Sequence, residues 1–353
     1  MTIPTEPIGS IPRTARLLEA LAVTDGTDPV LDPLYEEAVR ETIEEFEATG
    51  SPVITDGEQR KYHNFWTYCV HGLSNTDQDG FTIPFQAGHV RRMPRLTAGP
   101  FRYRTYADSY LDLVLKHSQR PVKQAVISPS ALSLMYPATE IPGYSRQQFI
   151  EDLINEHVTE VRNCLRKGAC KVQIDFTEAR LAVSLDPTGE LLANFIDLNN
   201  LALSRLSREE RSLVGIHTCA GSDRDSTHSR SVDYGDLLPC LFELNVGSFY
   251  VALAGERDRT AVLKSIRQHL KPRQRVFVGV IDPIDPQVET PEIVRDRVLE
   301  AARYIPIEQL GTCDDCGFSP FCDDTTTSRT TAFQKIRARV LGTELASQVL
   351  GVH

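Results

Sequence analysis

Val214-Gly-Ile-His-Thr-Cys219 reads as a short strand ending in two side chains that bind metals. A His and a Cys two positions apart on a strand point to the same side. Downstream, Thr312-Cys-Asp-Asp-Cys316-Gly-Phe318 supplies a further thiol. An imidazole and a thiolate converging with a distant thiolate suit Zn²⁺, and three protein ligands leave a position for an exchangeable group. Two other readings use the same residues. Cys313-x-x-Cys316 has the spacing of a redox pair, and Cys313 and Cys322 are also compatible with ordinary loop thiols.

Outward from that stretch, short β-rich runs alternate with amphipathic runs. The candidate strands are Pro7-Ile-Gly-Ser10, Val53-Ile-Thr-Asp-Gly-Glu58, Gln124-Ala-Val-Ile-Ser-Pro129, Lys171-Val-Gln-Ile-Asp175, the Val214 run, Phe249-Tyr-Val-Ala-Leu253, Val276-Phe-Val-Gly-Val-Ile-Asp282 and Gln309-Leu-Gly-Thr-Cys313. Eight strands alternating with helices predict a single (β/α)₈ TIM barrel over residues 1–353. Ser145 and Gln148 form a capping box ahead of an apolar stripe that Gly168 stops. Asp32-Pro33 and Thr290-Pro291 open two further helices. Residues 62–110 fit no barrel unit. With Trp66, Tyr68, Phe81, Phe85, Phe101, Tyr103 and Tyr106, they read as an inserted excursion or hairpin over the barrel mouth.

In this register Ser10, Glu58, Ser128, Asp175, His217, Cys219, Asp282 and Cys316 fall at or beyond the C-terminal ends of strands. In a TIM barrel that is the face where active sites are built. Each residue also has a structural reading. Glu58 and Asp175 can serve as partners of Arg60 and Arg180, and Ser10 can cap a turn. His228 can be a loop histidine or an acid–base group. Cys69, Cys164, Cys170 and Cys240 read as small core hydrophobes.

The 353 residues carry a formal charge of −10, which argues against a nucleic-acid surface. No apolar stretch approaches the ~20 residues of a membrane span. The N-terminal sequence lacks a basic stretch leading into an apolar one, so the expectation is a cytoplasmic protein whose eight cysteines are reduced.

Taken in order, these motifs resemble the catalytic half of cobalamin-independent methionine synthase. Its superfamily includes epoxyalkane:coenzyme M transferase and uroporphyrinogen decarboxylase. Ile8-Gly-Ser-Ile-Pro-Arg13 resembles the segment that holds the homocysteine carboxylate, which implies roles for Ile8 and Ser10. Thr55-Asp-Gly-Glu-Gln-Arg60 resembles the segment whose Glu, here Glu58, binds the substrate amino group. Gln173-Ile-Asp175 resembles the motif whose Asp contacts homocysteine. His217, Cys219 and Cys316 match zinc ligands. The resemblance thus implies zinc-dependent methyl transfer to homocysteine or a similar small thiol. Addition of a thiol to an epoxide or other electrophile, and a non-catalytic metal or redox protein, are the alternatives.

The chain departs from the pattern in four places. The synthase's Glu zinc ligand aligns near Ala252 or Leu253, leaving the fourth position to Glu243, Glu256, Cys313 or water. Val280-Ile-Asp-Pro-Ile-Asp-Pro286 lacks the proton-relay His, so Asp282, Asp285 and His228 are the candidate acids. The folate-contacting Arg-Cys pair is replaced near Gly88-His89, and the pterin-stacking Trp near Met135-Tyr136.

Overall fold

Near-continuous apolar runs bounded by polar turns build a parallel sheet buried on both faces. The computed structural model describes residues 2–61, 64–85, 90–222 and 226–352. Among the strands, an antiparallel hairpin of β1 (Thr76–Pro84) and β2 (Val90–Leu96) comes first. Six parallel strands then pair in chain order: β3 (Lys123–Ile127), β4 (Lys171–Asp175), β5 (Val214–Thr218), β6 (Ser248–Val251), β7 (Arg275–Ile281) and β8 (Leu310–Asp314).

The two remaining staves differ from the expected strands at 7–10 and 53–58. Each pairs through a single parallel bridge, Thr5 with Thr312 and Ile54 with Val122. Glu6 N donates to Thr312 O, and Thr312 N to Pro4 O. Ile54 N donates to Pro121 O, and Lys123 N to Ile54 O. Ile11 N to Gly57 O, with Thr55 Oγ1 to Gly9 O, joins the two staves to each other. The result is a (β/α)₈ barrel with two irregular staves. The physical reason is local: Pro4, Pro7 and Pro12 offer no N–H to a ladder, and left-handed backbone at Gly57 (φ 68) and Glu58 (φ 57) ends the second stave.

The expected helix signals operate. Ser145 and Gln148 cap each other's backbone at the start of Arg146–Lys167, and Gly168 closes that helix with φ 112. Its apolar stripe, including Phe149, Leu153, Ile154, Val158 and Val161, is buried against the barrel. Thr290 caps Pro291–Ala301, and Pro33 stands in the first turn of Asp32–Ala48.

The excursion is pinned to the helix Arg146–Lys167. Tyr68 Oη and Ala107 N donate to Glu160, and Tyr103 N donates to Glu156. So held, the excursion lays Phe65, Trp66, Ile83, Phe85 and Met93 along one wall of a cleft at the barrel mouth. Among the described residues, no helix is long and apolar enough to cross a membrane.

Candidate metal centre

The strand-end register delivers His217 from β5, Cys219 from the residue just beyond it and Cys316 from the turn after β8 to the floor of that cleft. All three are buried, and their ligand atoms lie within 4.8 Å of one another. Cys219 Sγ is 2.9 Å from Cys316 Sγ, and neither forms a disulfide. His217 Nδ1 sits 3.0 Å from Asp175 Oδ1 on the neighbouring strand. His217 Nε2 is buried with no hydrogen-bond partner. An orphaned imidazole nitrogen beside two thiols is a donor set that fits Zn²⁺.

The electrostatics couple the three groups. The hydrogen bond from Cys316, against burial and with His217 adjacent, holds Cys219 well below the ordinary thiol range. Burial and the neighbouring Cys219 push Cys316 well above it. Burial opposes charge on His217, but Cys219 and Asp175 outweigh it and push the imidazole up to about 10. Cys313 is outside the cluster. Its thiol donates to Phe277 O, and it packs with Ile8, Tyr250 and Phe277. The close thiol pair is therefore Cys219 with Cys316, not Cys313 with Cys316.

None of the protein side chains weighed for a fourth ligand joins the group. Glu256 is paired with Arg180 at 2.6 Å and Glu243 with Lys271 at 2.9 Å. Ala252 and Leu253 are buried and carry no donor side chain. Among the described residues, His217, Cys219 and Cys316 are the only such cluster.

The cleft holds about 780 Å³ of empty space, part of it open to solvent. Ile8, Ser10, Glu58, Asp175 and His228 all line it. The alternative partners for the carboxylates do not engage them: Glu58 faces Lys61 at 3.3 Å rather than Arg60, and Arg180 takes Glu256 rather than Asp175. Burial, with Lys61 opposing and Asp175 and Asp56 reinforcing, pushes Glu58 up to about 7. Glu58 also holds a left-handed backbone (φ 57), uncommon for a non-glycine residue. Ser10 Oγ accepts from Ser319 N, and Phe318 N donates to Ser10 O. A Cβ on Gly317 would lie 2.1 Å from Ser10 Oγ, so glycine is required for that approach.

The candidate acids separate in space. His228 lines the cleft, with Nδ1 bonded to Ser229 and its ring 5.3 Å from Phe85. Asp282 lies in a smaller neighbouring cavity with Cys219, Arg230 and Asp315, and it pairs with Arg230 at 3.0 Å. Asp285 is exposed, caps Gln287 N and lines neither cavity. Gly88-His89 lies outside the described residues. Met135 is fully buried, and Tyr136 donates to Tyr144 O away from the cleft.

Sequence reading missed three groups. Glu178 lines the cleft, accepts from Ser128 and Ser130, and leaves Oε2 unpartnered. Burial, partly offset by those hydroxyls, pushes it up to about 7. Its signal was a carboxylate opening the helix just after β4. Asp315 accepts three backbone N–H bonds, from Leu253, Ala254 and Gly255. Burial and Asp282 push it up to about 7. Lys123, deep in the barrel, donates to Gln173, which donates to Asp175. No local pattern marks either of these two.

The sequence profile described as "Cobalamin-independent synthase, Catalytic domain" matches residues 3–339. A methionine synthase of Sulfurisphaera tokodaii is 22% identical over 99% of this chain and 94% of its own length. A 5-methyltetrahydropteroyltriglutamate–homocysteine methyltransferase of Herpetosiphon aurantiacus is 24% identical over 89% of this chain, which spans only 40% of that protein. The solved structure of a B12-independent methionine synthase from a Shewanella species, in complex with selenomethionine, superimposes with a TM-score of 0.79 at 20% identity, covering 99% of both chains. With its profile match running nearly end to end, the chain belongs to the cobalamin-independent synthase catalytic-domain family.

Proposed function

We propose that this chain is a zinc-dependent methyltransferase acting on homocysteine or a similar amino thiol, working in the cytoplasm as one domain over residues 1–353. The observation that carries the reading is the His217–Cys219–Cys316 group at the floor of a cleft that Glu58 and Asp175 also line. A bound zinc would supply a Lewis-acidic position at which a thiol loses its proton at neutral pH. His217, Cys219 and Cys316 would hold that ion, with Asp175 fixing the His217 ring. Glu58 would accept the substrate ammonium, and the Ile8–Ser10 segment would receive its carboxylate. The aromatic wall would shield the reacting groups from water and help to hold the methyl donor beside the thiol. The selenomethionine held by the Shewanella relative is a methylated amino acid of the product class, which supports this acceptor.

The test is homocysteine methylation by zinc-loaded protein, assayed with mono- and triglutamyl methyltetrahydrofolate and with other methyl donors. Methionine formed at about 1 s⁻¹ or faster with any one of them supports the reading. Full activity in metal-free protein, or no binding of homocysteine, overturns it. A second reading, thiol addition to an epoxide, draws on the apolar Ala252 and Leu253 at the position of the missing carboxylate ligand. Homocysteine or coenzyme M consumed with an epoxide, and with no methyl donor, would favour it.

A further inference from the structure

Trp66, Phe85 and Phe321 meet as three mutually tilted rings. Trp66 and Phe321 have centroids 5.7 Å apart at 89°, Phe85 and Phe321 5.9 Å at 73°, and Trp66 and Phe85 6.4 Å at 60°. Phe65 stands against Trp66 and Phe321. All four rings line the cleft above the thiol cluster. Phe321 and Phe85 already face one cation: the Arg91 guanidinium lies 3.8 Å and 5.8 Å from their centroids, held by Asp323, Asp324 and Ser226.

Among the described residues, the polar lining carries carboxylates and histidines. Glu58, Asp175 and Glu178 are its carboxylates, and among the described lining residues none is Lys or Arg. Lys61 faces Glu58 from outside that lining. Oε2 of Glu58 and Oε2 of Glu178 are both buried without a hydrogen-bond partner. If Glu58 receives the acceptor's ammonium, Glu178 is left over.

We infer that the methyl donor is an onium cation, a methylsulfonium or methylammonium compound, held by the Trp66–Phe85–Phe321 rings with Glu178 as its counter-charge. The inference rests on the thiol-methylation reading and names the donor class for the same cleft. Aromatic faces and a desolvated carboxylate recognise a positive charge without a hydrogen-bond donor on the ligand. A donor with a polyanionic tail would meet three carboxylates and no Lys or Arg among the described lining residues, and Arg91 beside Phe321 is already paired with Asp323 and Asp324.

The chemistry agrees with a departure in the sequence. The thiolate sulfur attacks the methyl carbon, a C–S bond forms, and the bond from methyl to the onium atom breaks. The electron pair stays on that sulfur or nitrogen, which leaves as a neutral thioether or tertiary amine. The only proton released is the thiol's, and it passes to solvent. Such a leaving group needs no acid, and Val280–Pro286 contains no His.

The test compares choline and trimethylsulfonium with 3,3-dimethylbutan-1-ol, choline's neutral carbon isostere, by calorimetry on zinc-loaded protein with homocysteine present. At least one cation should bind about tenfold or more tighter than the isostere. Glu178→Gln should cut that preference severalfold. Turnover with homocysteine should then release dimethyl sulfide from the sulfonium or dimethylethanolamine from choline, which separates the two sources. An isostere that binds as well as both cations in the wild-type protein overturns the inference without recourse to any variant. Homocysteine methylated from a folate donor while both cations stay inert overturns it too, and leaves the thiol-methylation reading standing. Failure of homocysteine to bind at all sinks both.

Discussion

Asp175 Oδ1 lies 3.0 Å from His217 Nδ1, one strand away in register. The same oxygen accepts from Gln173 Nε2 at 2.8 Å, and Lys123 Nζ holds Gln173 Oε1 at 2.7 Å. Lys123 can only donate there, so the Gln173 amide must present its NH₂ to Asp175. The Asp175 oxygen therefore acts as an acceptor toward His217, and Nδ1 carries the proton. With zinc displacing the ring's second proton, Nε2, the nitrogen with no protein hydrogen-bond partner, would be the ligating atom. Asp175→Asn should weaken zinc binding roughly 10–100-fold, the usual cost of losing such an outer partner. Lys123→Met should weaken it less, by freeing the Gln173 amide to rotate. Competition against a chelator measures both, and ¹⁵N spectra of the His217 ring should report a changed tautomer.

Zinc content should separate the ligands from the bystanders. Cys219→Ser and Cys316→Ser should each abolish stoichiometric metal by elemental analysis. Cys164→Ser should retain it, because Cys164 is buried in the helix Arg146–Lys167 and not in the cleft. Equal loss in all three variants would mean that the ligands are misassigned.

Glu58→Gln keeps shape and removes charge. It should weaken homocysteine about tenfold or more while leaving 4-mercaptobutyrate, which lacks the amine, within twofold. A melting-temperature drop with unchanged thiol selectivity would instead assign Glu58 to folding through Lys61.

Stability should fall between about pH 4.5 and 7 through Glu160. Burial pushes this carboxyl up to about 7, against hydrogen bonds from Ala107 N and Tyr68. A folded-state value above the unfolded one means that the folded chain binds more protons in that window. Its contribution is full below about pH 4.5 and is lost as pH rises through about 7, by on the order of 1 kcal/mol per pH unit. Glu160→Gln should reduce the slope of the profile in urea unfolding from pH 5 to 8, with Glu58, Glu178 and Asp315 supplying the remainder. An unchanged slope would show that Glu160 is ionised throughout.

The sequence by itself determined the barrel and the grouping of His217, Cys219 and Cys316. Strand runs and helix caps act locally: Ser145, Gln148 and Gly168 close their helix with bonds to residues a few positions away. His217 and Cys219 share a face by strand periodicity alone. Cys316 was legible only because β8 returns to the same end of the barrel. Tertiary structure decided the pairing. Lys61 rather than Arg60 faces Glu58, since left-handed backbone at Gly57 and Glu58 ends the stave and redirects the turn. Cys313 points into the packed core with Tyr250 and Phe277, while Cys316 lies beyond the end of β8, clear of strand alternation. Glu178 and the box of Trp66, Phe85 and Phe321 are assembled from segments far apart in the chain. Their convergence depends on how the excursion docks on Glu156 and Glu160, a long-range contact that no local spacing encodes.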